Sequence, residues 1–207
     1  MIQLNVSQLK FSCAGEVHPA LEHIPTMQRR RLSTLAKLAL NSAVECLNQQ
    51  KVDYIVWASQ YGDEHKTYKI LEDVLQDLTP SPTQFSTSVH NAIAGLYSIL
   101  YKDATPATSL CADWSEAMIE AYAYLKTMHP QGRVLVVYYD EALPEIYEEH
   151  QHFQGFSMAA VVGLETPNLQ LDETKLKQVE PKYLDAMHFN EFWKQTLQQS
   201  YGAWSRC

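Results

Sequence analysis

The chain has 207 residues, of which 46% are hydrophobic and 19% are charged. This length predicts a single domain, and the apolar fraction is high enough to build a core, which excludes a disordered chain. Sixteen basic residues against 24 acidic residues give a net charge of −8, and this balance argues against nucleic acid as a partner.

The amino-acid sequence shows no targeting signal and no metal-binding motif. No apolar run approaches the roughly 18 residues of a membrane-spanning helix, and the first residues lack a basic segment followed by an apolar stretch. The four cysteines, Cys13, Cys46, Cys111 and Cys207, lie far apart without a CxxC spacing. We therefore expect a cytoplasmic protein with no membrane span, no disulfide framework, no bound metal and no cofactor.

The first half of the chain alternates between strand and helix patterns. Residues 2–9 begin with alternating apolar and polar side chains and predict a strand. Apolar residues at helical spacing predict a helix over 32–47, and the short apolar run 54–58 predicts a strand buried on both faces. A helix is predicted over 66–78, and the two prolines in 79–82 predict its end and a following extended loop.

The second half continues this alternation. Helices are predicted over 90–100 and 115–128, with a strand over 107–112 between them. The run 133–139 predicts a strand, and 156–164 predicts another that is antiparallel to it, because no crossover helix separates the two. An acidic loop from Asp140 to Glu149 connects them, and we expect it to be solvated.

These elements predict an α/β fold with a mainly parallel central sheet and an antiparallel edge strand. We divide the chain into a domain at 1–165 and a polar C-terminal extension at 166–207 that carries a short helix near 192–197. Composition and periodicity alone do not identify a function.

The most informative stretch lies around Asn91, Ala94, Gly95 and Pro106. It resembles the N-terminal half of the β-ketoacyl synthases of the thiolase-like superfamily, in which an Asn-x-x-Ala-Gly element opens a helix and a Gly-Pro pair then leads into a strand. The segment 27–30, Met-Gln-Arg-Arg, is similar to a Met-x-Arg-Arg element of that family. The resemblance covers about residues 1–165 and implies about half of a ketosynthase fold.

The resemblance also implies a loss of catalysis. In the family a nucleophilic cysteine follows the strand, and an ungapped alignment on Asn91, Gly95 and Pro106 puts Trp114 at its position. An indole cannot replace a thiolate activated at a helix N-terminus. The family's two decarboxylating histidines and one oxyanion-hole donor come from the C-terminal half, which this chain lacks.

A ketosynthase-like subunit without the cysteine resembles the chain-length factors, in particular the short version beside ketosynthases of aryl polyene biosynthesis. The resemblance implies a heterodimer with a full-length ketosynthase, and contact with the acyl carrier protein through that complex. In the family the subunits meet through the strand before the nucleophile turn, and the loop corresponding to 81–88 reaches the partner's acyl pocket. The implied tunnel or interface residues are Gln84, Phe85, Thr87, His90, Thr108, Leu110 and Trp114.

Several residues carry alternative interpretations. Cys111 could serve with His90 in a small stand-alone acyltransferase or thioesterase, or it could be a small buried side chain. His90 could instead cap or pack against a helix, and Trp114 could pack in the core. A structural homodimer without an acyl role is a third alternative. Arg29 to Arg31 could meet an acidic carrier protein or form a solvated cluster, and Asp113 is best interpreted as a helix N-cap.

Overall fold

The computed structural model describes residues 1–176 and 181–207, so part of the predicted C-terminal extension lies outside the described residues. Within these ranges the strands are β1 (Ile2–Cys13), β2 (Tyr54–Ser59), β3 (Ala107–Cys111), β4 (Val134–Asp140), β5 (Phe156–Gly163), β6 (Leu169–Leu171), β7 (Ser200–Tyr201) and β8 (Trp204–Arg206). The α-helices in the same ranges are α1 (Thr26–Arg29), α2 (Thr34–Leu47), α3 (Glu64–Leu75), α4 (Pro82–Ser88), α5 (Ala92–Tyr101), α6 (Trp114–Thr127) and α7 (Tyr183–Lys194).

The described strands form one sheet in the order β3-β2-β4-β5-β1-β6-β8-β7. Strand β2 pairs in parallel with β3 and with β4, and the other neighbouring strands are antiparallel. The runs of β2 and β4 are almost entirely apolar because helices cover both faces of the sheet at these strands. Among the described strands, β3 stands at the end of this order and forms one edge of the sheet.

The sheet separates two hydrophobic clusters. Val56, Val136 and Tyr138 point to the face that α6 and α7 cover. Trp57, Val137 and Tyr139 point to the opposite face, which α2 and α5 cover. This alternation along β2 and β4 places the apolar stripes of the helices against a sheet that is buried on both sides.

Local capping fixes where the helices begin. The Ser33 hydroxyl accepts a hydrogen bond from the Ala36 amide at 3.1 Å and starts α2. Helix α6 begins with a capping box, in which Asp113 and Glu116 each accept from the other's backbone amide. The interpretation of Asp113 as an N-cap is confirmed.

The α/β fold class is confirmed, together with the antiparallel pairing of the two strands after α6. The antiparallel part of the sheet is larger than predicted, and β5 lies between β4 and β1 rather than at an edge. Short strands β6, β8 and β7 extend the sheet after residue 165, where the sequence predicted none. The division at residue 165 stays a prediction.

Two further predictions are corrected. The segment 81–88 is not an extended loop but helix α4, because Pro82 occupies the first turn and Ser81 forms a capping box with Gln84. The C-terminal helix is α7 at Tyr183–Lys194, earlier and longer than the predicted 192–197. Its buried side chains, which include Phe189 and Phe192, pack into the cluster under α6.

Candidate functional site

Trp114 occupies the first turn of α6 and is completely buried. Its indole packs against Phe189 of α7, with ring centroids 5.2 Å apart. Phe189 in turn contacts Trp204 of β8 edge to face, at 4.8 Å between centroids. The C-terminal segment therefore covers the position that the sequence alignment assigns to the nucleophile.

Carboxylates of this chain occupy the N-terminal end of α6. The Ser115 amide donates to Oδ2 of Asp185 at 2.7 Å, and the Glu116 amide donates to Oδ1 of Asp113 at 2.7 Å. Burial raises the pKa of Asp185, and burial together with the nearby Asp185 and Glu116 raises the pKa of Asp113 to about 6. Since an oxyanion needs free donors, these two amides are not available to stabilise one.

Cys111 and His90 both lie against the loop after β2. The Cys111 thiol donates to the Gln60 carbonyl at 2.9 Å, and Nε2 of His90 lies 3.2 Å from the Ser59 carbonyl. A carbonyl only accepts, so Nε2 donates this hydrogen bond. The imidazole also packs over Gly62, at which an added Cβ would lie 3.3 Å from the ring. The ring of His90 therefore packs against this loop, and the thiol of Cys111 is directed toward the backbone. Cys111 is exposed, so its interpretation as a small buried side chain is wrong.

The sequence analysis missed a buried carboxylate at the end of β4. Asp140 accepts hydrogen bonds from the Ser59 hydroxyl at 2.9 Å, from the Gln60 amide at 3.2 Å and from the Tyr138 hydroxyl. The Ser59 hydroxyl also accepts from the Gly62 amide at 2.8 Å. Burial raises the pKa of Asp140 to about 6. Asp140 therefore ties β4 to the loop that leads into α3.

The predicted solvation of the acidic loop is wrong at its first two residues. Asp140 belongs to a buried strand, and Glu141 is only partly exposed. The signal that could have revealed this is the position of Asp140, which directly follows the strongest apolar run of the chain. Two of its partners, Ser59 and Gln60, lie at and just after the end of β2, about 80 residues earlier, and single-sequence patterns do not report such pairings.

A cavity of about 210 Å³ lies beside Asp140 at the carboxyl ends of β2 and β4. Its walls include Glu141 and the stacked rings of Phe153 and Tyr183, whose centroids are 3.9 Å apart. Burial, and then the negative charge of Asp63, raises the pKa of Glu141 to about 7. Among the described residues, the cavity wall contains none of the predicted tunnel or interface residues.

The three tunnel candidates on α4 differ in exposure. Phe85 is 65% exposed, whereas Gln84 and Thr87 are partly buried. The Gln84 side chain closes the capping box with Ser81, and the Thr87 hydroxyl donates to the Thr83 carbonyl at 2.9 Å. Phe85 is thus the candidate whose side chain is available to a second protein.

The remaining two candidates lie on β3, which pairs with β2 alone in the part of the chain that the structure describes. Thr108 is paired with Val56 of β2, and Leu110 packs on the α6 side of the core. The Ile55 amide donates to the Pro106 carbonyl at 3.0 Å. In a parallel ladder this phase turns the amides of Ser109 and Cys111 toward the open edge. The edge can therefore accept another strand.

The structure does not bring the predicted site residues into one place. Trp114 lies under α7, the α4 residues lie on the surface, and His90 connects to the end of β2. Within residues 1–176 and 181–207, no helix is long and apolar enough to cross a bilayer, and no cluster of three or more His, Cys, Asp or Glu side chains could hold a metal ion.

Comparison with known proteins agrees with this architecture. A family model described as the N-terminal domain of β-ketoacyl synthase matches residues 4–204. The chain therefore belongs to the β-ketoacyl synthase N-terminal domain family, and the match extends beyond the 1–165 segment inferred from the motifs. The comparison with curated proteins gave no match.

Among solved structures, the chain is similar to one in the complex of the ketosynthase ApeO with its chain length factor ApeC from Xenorhabdus doucetiae. That match has a TM-score of 0.82 and 23% identity, and it covers 100% of both chains. An HMG-CoA synthase complexed with CoA matches with a TM-score of 0.50 and 17% identity, over 86% of this chain and 46% of that one. These similarities establish a thiolase-like fold.

Proposed function

We propose that this chain is a non-catalytic subunit, similar to a chain-length factor, that forms a heterodimer with a full-length β-ketoacyl synthase. It would shape the acyl tunnel of that partner in aryl polyene or related fatty-acid-like biosynthesis. The acyl carrier protein would reach the complex through the catalytic partner.

The observation that carries this proposal is the closed N-terminal end of α6. A condensing enzyme needs a thiolate at this point and donors for the thioester oxyanion. Here Trp114 fills the position under Phe189, and Asp185 accepts the hydrogen bond of the Ser115 amide. A substrate carbonyl could not approach this helix end without displacing the C-terminal segment.

The match to the ApeO–ApeC complex supports a partner-subunit role. Both matched chains are covered completely, so the matched chain has about the length of this one. A complete ketosynthase is about twice as long, and we therefore infer that the similarity concerns the chain length factor of that complex.

Two surface features support the proposed interface. The open edge of β3 offers the amides of Ser109 and Cys111 to an added strand. Helix α4 presents Phe85 to solvent, and the exposed Val89 directly follows the helix. An apolar side chain of this size, held on a short helix, is suited to entering a partner's acyl pocket.

The rival function, a stand-alone thiol enzyme that uses Cys111 with His90, depends on a reactive thiolate. The thiol donates to the Gln60 carbonyl, and Nε2 of His90 contacts the Ser59 carbonyl. We therefore expect Cys111 to be alkylated slowly at neutral pH, as measured by the increase in the intact mass of the protein. Rapid labelling of this one cysteine, at the rate of a low-pKa thiolate, would favour the enzyme.

Co-expression of this chain with a full-length β-ketoacyl synthase from the same source tests the proposal. We expect a one-to-one complex in size-exclusion chromatography with light scattering, whose interface buries more than about 2,000 Å² as is usual for obligate partners. A monodisperse monomer that ignores the ketosynthase would contradict the proposal.

A further inference from the structure

Asp63 presents an unusual electrostatic situation at the start of α3. Its side chain is only 2% exposed, and within the described residues neither carboxylate oxygen receives a hydrogen bond. The ammonium group of Lys66, one turn along the helix, lies 3.1 Å from Oδ2 of Asp63. Because a buried charge without compensation is strongly destabilising, this ion pair holds the Lys66 side chain in a fixed direction.

The same ammonium group reaches α4. Nζ of Lys66 donates to the Thr87 carbonyl at 3.4 Å. Thr87 belongs to the last turn of α4, where carbonyl groups lack partners within the helix and where the helix dipole favours a cation. Lys66 therefore caps the C-terminal end of α4 while it neutralises Asp63.

Helix α4 depends on such contacts from outside. It has seven residues, which is too short for a stable helix on its own. A second, longer side-chain hydrogen bond also joins α4 to α3, from Nε2 of Gln84 to Oδ2 of Asp73 at 3.5 Å. The two contacts orient α4 antiparallel to α3, with Lys66 next to Thr87 and Asp73 next to Gln84.

We propose that Lys66 is a positioning residue that fixes α4 on α3 and thereby sets where Phe85 enters the acyl tunnel of the partner. This inference rests on the proposed function, because it assigns the chain-length preference to a contact inside this chain. Lys66 itself need not touch the acyl chain. The Lys66 ammonium group determines product length because it holds Phe85, on the same helix as Thr87, in place.

The first test uses the isolated chain. Lys66→Met removes the cap, and we expect amide hydrogen exchange in the peptide covering 82–90 to become about fivefold faster, the factor that corresponds to about 1 kcal/mol for one hydrogen bond. Exchange in α2 should not change. Lys66→Arg keeps a cation within reach of the Asp63 carboxylate and the Thr87 carbonyl, and it should restore the slow exchange.

A matched control is a lysine whose ion pair lies in another part of the chain. Lys175 is 67% exposed and pairs with Asp172, three residues earlier, so Lys175→Met should leave exchange in 82–90 unchanged. If the single variant at position 66 does not fold because Asp63 is left unpaired, the double variant Asp63→Asn/Lys66→Met removes both charges and tests the same cap. Unchanged exchange in 82–90 would overturn the inference.

The second test uses the complex with the ketosynthase. We expect Lys66→Met to broaden the product distribution toward longer chains, in the direction that Phe85→Ala produces, with the heterodimer intact. If Phe85→Ala lengthens the products but Lys66→Met leaves them unchanged, the positioning role is wrong and the proposed function stands. If no complex forms, the proposed function fails. If the complex forms but Phe85→Ala leaves product lengths unchanged, Phe85 does not line the tunnel, and the role of Lys66 in setting product length is wrong with it. In both cases hydrogen exchange still decides whether Lys66 holds α4.

Discussion

Replacing Phe85 by alanine should lengthen the products of the reconstituted complex. The side chain is 65% exposed in this chain, so its removal should change the free energy of unfolding of the isolated subunit by no more than about 0.5 kcal/mol. Any effect on product length would then arise at the partner's tunnel. This separation makes Phe85 a sharper probe than Gln84 or Thr87, whose side chains form hydrogen bonds that support α4.

The expected magnitude follows from burial of the growing chain. Each buried methylene contributes about 0.8 kcal/mol, so a two-carbon unit that gains space contributes about 1.6 kcal/mol. This free energy corresponds to a change of about 15-fold in the preference between neighbouring chain lengths. Where the phenyl ring fills the space instead, overpacking costs about 1–3 kcal/mol, which reverses the preference.

The assay measures product lengths by mass spectrometry after incubating the purified complex with malonyl carrier protein and an acyl primer. Leu197→Ala is the matched control, because Leu197 is 93% exposed and lies outside the helices and strands of the fold. It should leave product lengths unchanged. Unchanged lengths in Phe85→Ala, with complex formation confirmed, would refute the assignment of this side chain to the tunnel.

Three other predictions concern stability, catalysis and assembly. Burial raises the pKa of Glu141 from its ordinary 4.5 to about 7, so the folded state loses stability as the pH rises through this window. In urea unfolding, Glu141→Gln should be about 2 kcal/mol more stable than the parent at pH 8 and nearly equal to it at pH 4.5. An equal difference at both pH values would contradict the reasoning. Trp114→Cys should lower the free energy of unfolding by about 3–5 kcal/mol because the buried ring is lost. It should gain no acyl adduct in intact-mass analysis, since the Ser115 amide still donates its hydrogen bond to Asp185. An adduct on the new thiol would show that the site is open. Ser109→Pro removes an amide at the open edge of β3 and should abolish binding to the ketosynthase, while the circular dichroism spectrum of the isolated chain stays unchanged. Binding at the parental affinity would exclude pairing through this edge.

The sequence predicted the elements whose signals are local. Strands β2 and β4 follow from short, almost continuous apolar runs. Helix α2 follows from helical spacing alone, and α6 follows from helical spacing together with the Asp113 cap. Helix α4 was missed because two prolines were interpreted as breakers, although Pro82 after Ser81 is a favoured start of a helix. Strands β6, β7 and β8 have two or three residues each, which is too short for periodicity to reveal.

The site was only partly predictable for a different reason. The loss of the cysteine could be seen from the alignment on Asn91, Gly95 and Pro106. The closure of the helix end could not, because Asp185 follows its partner Ser115 by 70 residues and comes from a helix that was predicted at the wrong position. The bond from Lys66 to the Thr87 carbonyl was also hidden, because it depends on a helix that was expected to be a loop.

The most direct test of a non-catalytic partner subunit is native mass spectrometry of this chain mixed with the full-length ketosynthase after incubation with an acyl-carrier protein. We predict one heterodimer that carries a single acyl group, and dissociation of the complex should assign that group to the ketosynthase, leaving this chain at its unmodified mass. An acyl adduct on this chain would contradict the account, and so would two separate proteins without a complex.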